Sequence, residues 1–460
     1  MLYRLRPRGW ADVGLTVVRG AFMASNPGSS ISRRDLLRGL SIGAGGLIIG
    51  GGGGYLAGHS SSSGSKGSSA KGKPILIGSG SPVTGYYSAD GEDMIRGQEL
   101  AISEINARGG VLGRPLQLSI LDTQEQQPDV MENVFRKFVS QGVAAVFAGF
   151  TTYSSVEFPI LAAAGMTFMH INTWHGNVDF VKQHGITNIF QAVGTEVFYG
   201  PGLVNTLQGL ESKKLWKPSA KKTAAIISSN DPYSLSIANG FKSSITKLGW
   251  KVTMFQEFTV PLADWTATLV NIRNNPPDII LFSDYTAGDE ASFIKQFHES
   301  PTPSLVYEQY APSIPAYLNL AGIAANGVIW STMDGLIADA IGSKFTAAYE
   351  KKFSVSPGYG NAGCMYDQVN IWANAAADAD DPYDFKRVNA NIKNTIHRGI
   401  CGAYYWPDAY QTIYPYPDYF KDPSLGMPHL TYQIQDGKQV IIGPDPYTTG
   451  TFQLPSWIGA

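Results

Sequence analysis

Cysteine is scarce. Only Cys364 and Cys401 occur in 460 residues, so neither a dense disulfide framework nor a four-cysteine metal site can form. One bridge between them stays open, as does the alternative of two buried thiols acting as small hydrophobes. Excess charge of one sign is also missing. A formal net charge of −2, with no basic stripe bearing interleaved aromatics, excludes the electrostatic footprint of a nucleic-acid binder. The chain has no G-x-S-x-G elbow and no H-E-x-x-H pair, which argues against a serine hydrolase or a zinc peptidase. His170 and His175 fall on either side of a predicted strand end, a poor spacing for two ligands of one metal, and read as core or surface histidines. Asp284, Asp289 and Glu290 lack an accompanying nucleophile and read as helix-start acids that favour the helix dipole. No catalytic residue, metal ligand or cofactor is expected.

What is present is a globular composition, 43% hydrophobic and 16% charged, long enough for two or three domains. The first 57 residues read as an extension and an address. Arg33 and Arg34, with Leu36 close behind, precede a weakly apolar, Gly-rich stretch over residues 40–57, too glycine-laden for a comfortable membrane span. The pattern resembles a twin-arginine export signal and implies a periplasmic destination. Cleavage after Ala70, cleavage nearer Ala57 and retention as an anchor all stay open, and Met23 is an alternative start. Residues 58–73, mostly Gly, Ser and Lys, cannot bury apolar area and read as a flexible linker. Gly67, Gly72 and Lys73 match the spacing of a phosphate loop, but Pro74 replaces the Ser or Thr that would hold magnesium and no strand precedes it.

From Pro74 the pattern alternates. Ile75-Leu76-Ile77-Gly78 reads as a buried strand; Met94, Ala101 and Ile105, with Ile95 and Ile102, recur at helical spacing until Gly109-Gly110 stops the run. Strands over 116–121, 144–148 and 167–171 follow, separated by helices near 130–139 and 156–163. A second series has strands over 224–228, 252–258, 278–283 and 305–307, and a helix with Trp265, Leu269 and Ile272 on one face before Pro276-Pro277. Strand-helix repetition of this kind implies α/β lobes with parallel sheets covered on both faces. Ligands of open α/β sheets sit beyond the carboxyl ends of the strands, so the loops after Gly80, Gly149, Ile171, Ser229, Ser283 and Tyr307 are the places to search.

The stretch from Gly97 through Glu104, Asn106 and Gly110, continued by Leu112-Gly113-Arg114-Pro115 and the strand ending at Asp122, resembles the opening of type I periplasmic solute-binding proteins of the branched-chain amino acid and amide group. The likeness runs to about Ala379 and includes Asp231-Pro232-Tyr233, Asp264 and Pro277-Asp278-Ile279-Ile280. It implies two Rossmann-like lobes with parallel sheets, joined by a three-crossing hinge, that trap a small amino acid, amide or urea-like solute. It also implies partners, the membrane permease and ATPase of an ABC importer, and no enzymatic activity. Carried over, lobe one spans 74–194 and 330–400, and lobe two 195–329 and 401–460.

In leucine-type relatives, loops after the third and fourth strands offer amides and hydroxyls to the ligand carboxylate; those positions match Thr151, Thr152, Tyr153, Ser154, Asn172, Thr173 and Trp174. Second-lobe aromatic contacts match Tyr233 and Tyr285. The acid expected to meet the ligand ammonium is replaced by Tyr310, with Glu308 two residues earlier, a departure that weakens the case for an ordinary α-amino acid. A sensory receptor of the same fold, serving a regulatory partner, is the rival reading.

Overall fold

The apolar run at Ile75 forms β1 (Ile75–Ser81), buried along nearly its whole length, in a computed structural model that describes residues 72–150 and 155–459. The expected signal and all but the end of the linker therefore lie outside the described residues. After β1 come α1 (Ser88–Ala107), β2 (Leu116–Asp122), α2 (Pro128–Gln141), β3 (Ala145–Ala148), α3 (Glu157–Ala164), β4 (Thr167–His170), α4 (His175–Gln183) and β5 (Ile189–Gln191). They build a five-stranded sheet of order β2-β1-β3-β4-β5 in which every pair is parallel. Because β3 alternates faces, Ala145 and Phe147 enter one core while Val146 and Ala148 enter another. Both faces are covered, as an all-parallel sheet requires.

The second lobe repeats the plan. α5 (Tyr199–Ser212), β6 (Thr223–Ser229), α6 (Pro232–Thr246), β7 (Lys251–Phe258), α7 (Thr266–Asn274), β8 (Ile279–Ser283), α8 (Ala287–Glu299), β9 (Leu305–Gln309), α9 (Pro315–Ala321) and β10 (Ile329–Thr332) follow in turn. The strands run β7-β6-β8-β9-β10 in parallel, the same order as the first sheet. In this order the sheet switches direction between its first and third strands, which places a ligand crevice at the loops after β1 and β3 and after β6 and β8.

The chain then returns to lobe one for α10 (Ala340–Phe353), α11 (Asn361–Asp378), α12 (Phe385–Asn394) and the short pair β11 (His397–Arg398) and β12 (Ala403–Tyr404). α11 lies so close to α1 that a Cβ on Gly97 would stand 2.2 Å from the Ala362 carbonyl oxygen, so only glycine fits there. After β13 (Pro415–Tyr416) and β14 (Met427–Pro428), strands β15 (Leu430–Gln435) and β16 (Lys438–Gly443) add to the β10 edge in antiparallel fashion.

Two expected boundaries shift. β10 belongs to the second sheet, so the crossing follows Thr332 instead of preceding residue 330. Tyr404, Trp406 and Ile413 pack in the first-lobe core, so lobe two resumes well after residue 401. Their apolar character demanded burial but showed no period that named the lobe. Gly194, Met333 and Ile413 mark the three crossings, and they touch: a Cβ on Gly194 would stand 2.7 Å from Met333 Sδ and 3.7 Å from the Ile413 carbonyl oxygen. No helix among the described residues is long and apolar enough to cross a membrane.

Candidate functional site

A cavity of about 170 Å³ lies at the carboxyl ends of both sheets. That is close to the size of an apolar cavity that admits benzene, so the occupant is a small molecule. From lobe one, Tyr87 and Asp90 reach it after β1, Phe150 after β3, and Asn172, Thr173 and Trp174 after β4. Lobe two contributes Asp231, Pro232 and Tyr233 after β6, Tyr285 after β8, Tyr310 after β9, and Trp330, Ser331 and Thr332 on β10. Asp334 enters from the second crossing, and Gly360 and Asn361 from the start of α11.

Local sequence explains how these side chains are held. Asp231 caps α6 by accepting from the Ser234 amide (3.0 Å), and Pro232 occupies the first helical position, so Tyr233 is fixed one residue later at the cavity edge. Its hydroxyl accepts from Gln309 Nε2 at 3.2 Å. Tyr310 has a φ of +78° and a ψ of −57°, a conformation costly for a residue with a Cβ. This backbone turns its ring across the cleft. Its hydroxyl donates to Asp90 Oδ1 (3.1 Å) and its ring meets Phe150 edge-on at 6.3 Å, while Phe150 meets Tyr87 the same way at 5.6 Å. The two lobes therefore touch across the cavity. Asn361 Nδ2 also donates to Asp90 Oδ1, at 2.8 Å. Desolvation pushes the Asp90 carboxyl up to about 7, and burial raises that of Asp334 as well.

Of the residues expected from sequence, Asn172, Thr173, Trp174, Tyr233, Tyr285 and Tyr310 line the cavity, Trp174 at its mouth with 39% of its surface exposed. Thr151, Thr152, Tyr153 and Ser154 lie outside the described residues. Glu308 is not among the cavity residues. The strand runs two residues further than its apolar core suggested, so Glu308 sits within β9 opposite Phe282, and alternation turns it away from the cavity. There it accepts a hydrogen bond from Tyr317 and faces Glu290 inside lobe two. Asp289 and Glu290 occupy the first turn of α8, and Asp289 accepts from the Leu262 amide at 2.8 Å. His170 is buried between Phe158 and Phe168, and its Nδ1 accepts from the Asn172 amide at 3.2 Å. Burial lowers its pKa to about 3 and keeps the ring neutral. Cys364 and Cys401 are free, buried and in contact through their thiols.

Among the cavity residues that sequence reasoning missed are Tyr87, Asp90, Phe150, Trp330, Asp334 and Asn361. The loop after β1 was marked for search, but Asp90 belongs to the helix that follows it, while Asp334 arrives through the second crossing and Asn361 at the start of α11, where no motif announces them.

Two lobes of one strand order, joined by adjacent crossings and meeting over a shared cavity, define the class of two-lobed solute receptors. The profile of the periplasmic binding protein family matches residues 74–413, and this chain belongs to that family. Leu/Ile/Val-binding protein homolog 7 of Brucella abortus (strain 2308) is 22% identical over 405 residues, covering 83% of this chain and 94% of that protein. A crystal structure from Silicibacter pomeroyi, provisionally assigned as a branched-chain amino acid ABC transporter, is 33% identical, covers 84% of this chain and all of that one, and superposes with a TM-score of 0.79. The substrate-binding protein LivJ of Streptococcus pneumoniae, solved with isoleucine, shares the fold at 20% identity and a TM-score of 0.65, covering 80% of this chain and 97% of that one.

Proposed function

We propose that this protein is the extracytoplasmic solute-binding component of an ABC importer, closing on a small amino acid, amide or urea-like solute and handing it to a permease driven by an ATPase. Family membership supports the transport role, and the cavity walled by both lobes supports capture by closure. Asn172 and Thr173, in the loop before α4, present a side-chain amide and a hydroxyl to a polar ligand end, while Tyr233 and Tyr285 supply an apolar wall with polar tips. Residues 151–154, all four hydroxyl-bearing, would complete that set. Export to the periplasm through the twin-arginine route, signalled by Arg33 and Arg34, belongs to the same reading.

The test is thermal unfolding of protein stripped of co-purified ligand. At a thousandfold excess over Kd, a ligand adds about 4 kcal/mol to stability, enough to raise Tm by several degrees. Absence of any shift across amino acids, amides, ureas, amines and small organic acids would overturn the proposal.

A further inference from the structure

The charge balance of the cavity is one-sided. Asp90, Asp231 and Asp334 line it, whereas no Lys, Arg or His does among the described residues, and residues 151–154 are Thr, Thr, Tyr and Ser. Asp231 is already committed as a helix cap: Oδ1 accepts from the Ser234 amide and Oδ2 from the Ser229 hydroxyl at 2.6 Å. Asp90 and Asp334 differ. Tyr310 and Asn361 both donate to Oδ1 of Asp90, and Thr332 donates to Oδ1 of Asp334, all three being neutral groups of the cavity wall. Neither acid takes part in an ion pair among the described residues. Both act on the Tyr310 hydroxyl, and Asp334 borders Gly360, next to Asn361.

A carboxylate withdrawn from water and given no cation is held at a cost that an arriving positive charge removes. The rest of the wall suits the same visitor. Tyr87, Phe150, Tyr233, Tyr285, Tyr310 and Trp330 surround the space, and the faces of such rings attract ammonium groups and exclude water from them.

Building on the solute-receptor reading above, we propose that the physiological ligand carries net positive charge: an organic ammonium ion of about benzene size, its charged end on Asp90 and Asp334 and its body against the aromatic wall. The raised carboxyl of Asp90 agrees with this, because the proton that burial favours there is the one a cation would displace.

Calorimetry on ligand-stripped protein tests the assignment with choline, phenethylammonium and arginine against isoleucine, acetamide, 2-phenylethanol and benzoate. At least one cation should bind thirtyfold or more tightly than every neutral, zwitterionic or anionic probe, and Asp90→Asn and Asp334→Asn should each erase that preference. Choline cannot titrate, so in the wild-type protein its affinity should fall about thirtyfold between pH 8.5 and pH 5.5 as Asp90 takes up its proton. The groups facing Asp90 are Asp93, Tyr86, Tyr310, Asn361 and, through Tyr310, Asp334. This pH profile decides the matter even if a variant fails to fold. Tighter binding of isoleucine, acetamide or benzoate would overturn the charge assignment and leave the receptor reading standing. Binding of no probe at all would count against both.

Discussion

Glu308 and Glu290, each 0% exposed, face one another inside lobe two, and burial raises both carboxyls well above the ordinary range. Tyr317 donates to Glu308, Asp284 lies near enough to raise its pKa further, and no base compensates among the described residues. An acid with a raised folded-state pKa keeps a proton that the unfolded chain releases. Its contribution to stability is therefore complete below the ordinary carboxylate range and is lost as pH climbs through the raised value. The loss is about 1.4 kcal/mol per pH unit for each proton so held, or about 2.7 kcal/mol between pH 5 and pH 7. Glu308→Gln removes that proton while keeping an oxygen to accept from Tyr317. Other buried acids titrate too, so the informative quantity is the difference between variant and wild type, measured from urea denaturation at pH 5, 6 and 7. The variant should gain about 2.7 kcal/mol on the wild type across that span. A difference that stays constant with pH would mean that Glu308 is already ionised in the folded protein, and the reasoning fails.

Tyr285→Ala should leave thermal stability near wild type yet weaken binding of the ligand found by screening by about 2 kcal/mol, roughly thirtyfold, on calorimetry; unchanged affinity would remove Tyr285 from the ligand wall. Cys364 and Cys401 touch as thiols, and thiol titration of denatured, unreduced mature protein should find two free groups if they stay reduced; finding none would reveal a bridge whose loop closure contributes about 3 to 4 kcal/mol. Replacing Arg33 and Arg34 by Lys should hold the protein in the cytoplasm on fractionation, because a guanidinium pair and not charge alone is read; normal export would point to another route.

The lobes were legible because their strands are short apolar runs bounded by turn residues, and because β6 and β8 end where strand-end logic puts a ligand loop. That logic named the loops after Ser229 and Ser283, and the family resemblance picked out Tyr233 and Tyr285 within them. Glu308 was misplaced, since Gln309 is a polar residue inside the strand and hid its true length. Asp90 was masked by a helix that starts earlier than its first large apolar residue, Met94. Asp334 reaches the cavity through the second crossing and Asn361 through the start of α11, a tertiary placement that no local period encodes. The same holds for Tyr404 and Trp406, whose burial was foreseeable but whose lobe was not.

The contact of Gly194, Met333 and Ile413 has a mechanical meaning. A single tether would let the lobes swivel, whereas three side by side resist twist and shear and leave bending as the soft motion. Opening then reduces to one angle. Any membrane partner that grips both lobes at once would sense that angle and nothing of the occupant's chemistry, so selectivity must be exercised entirely within the cleft before docking. A side chain at Gly194 would press on Met333 and stiffen the bend without touching the ligand.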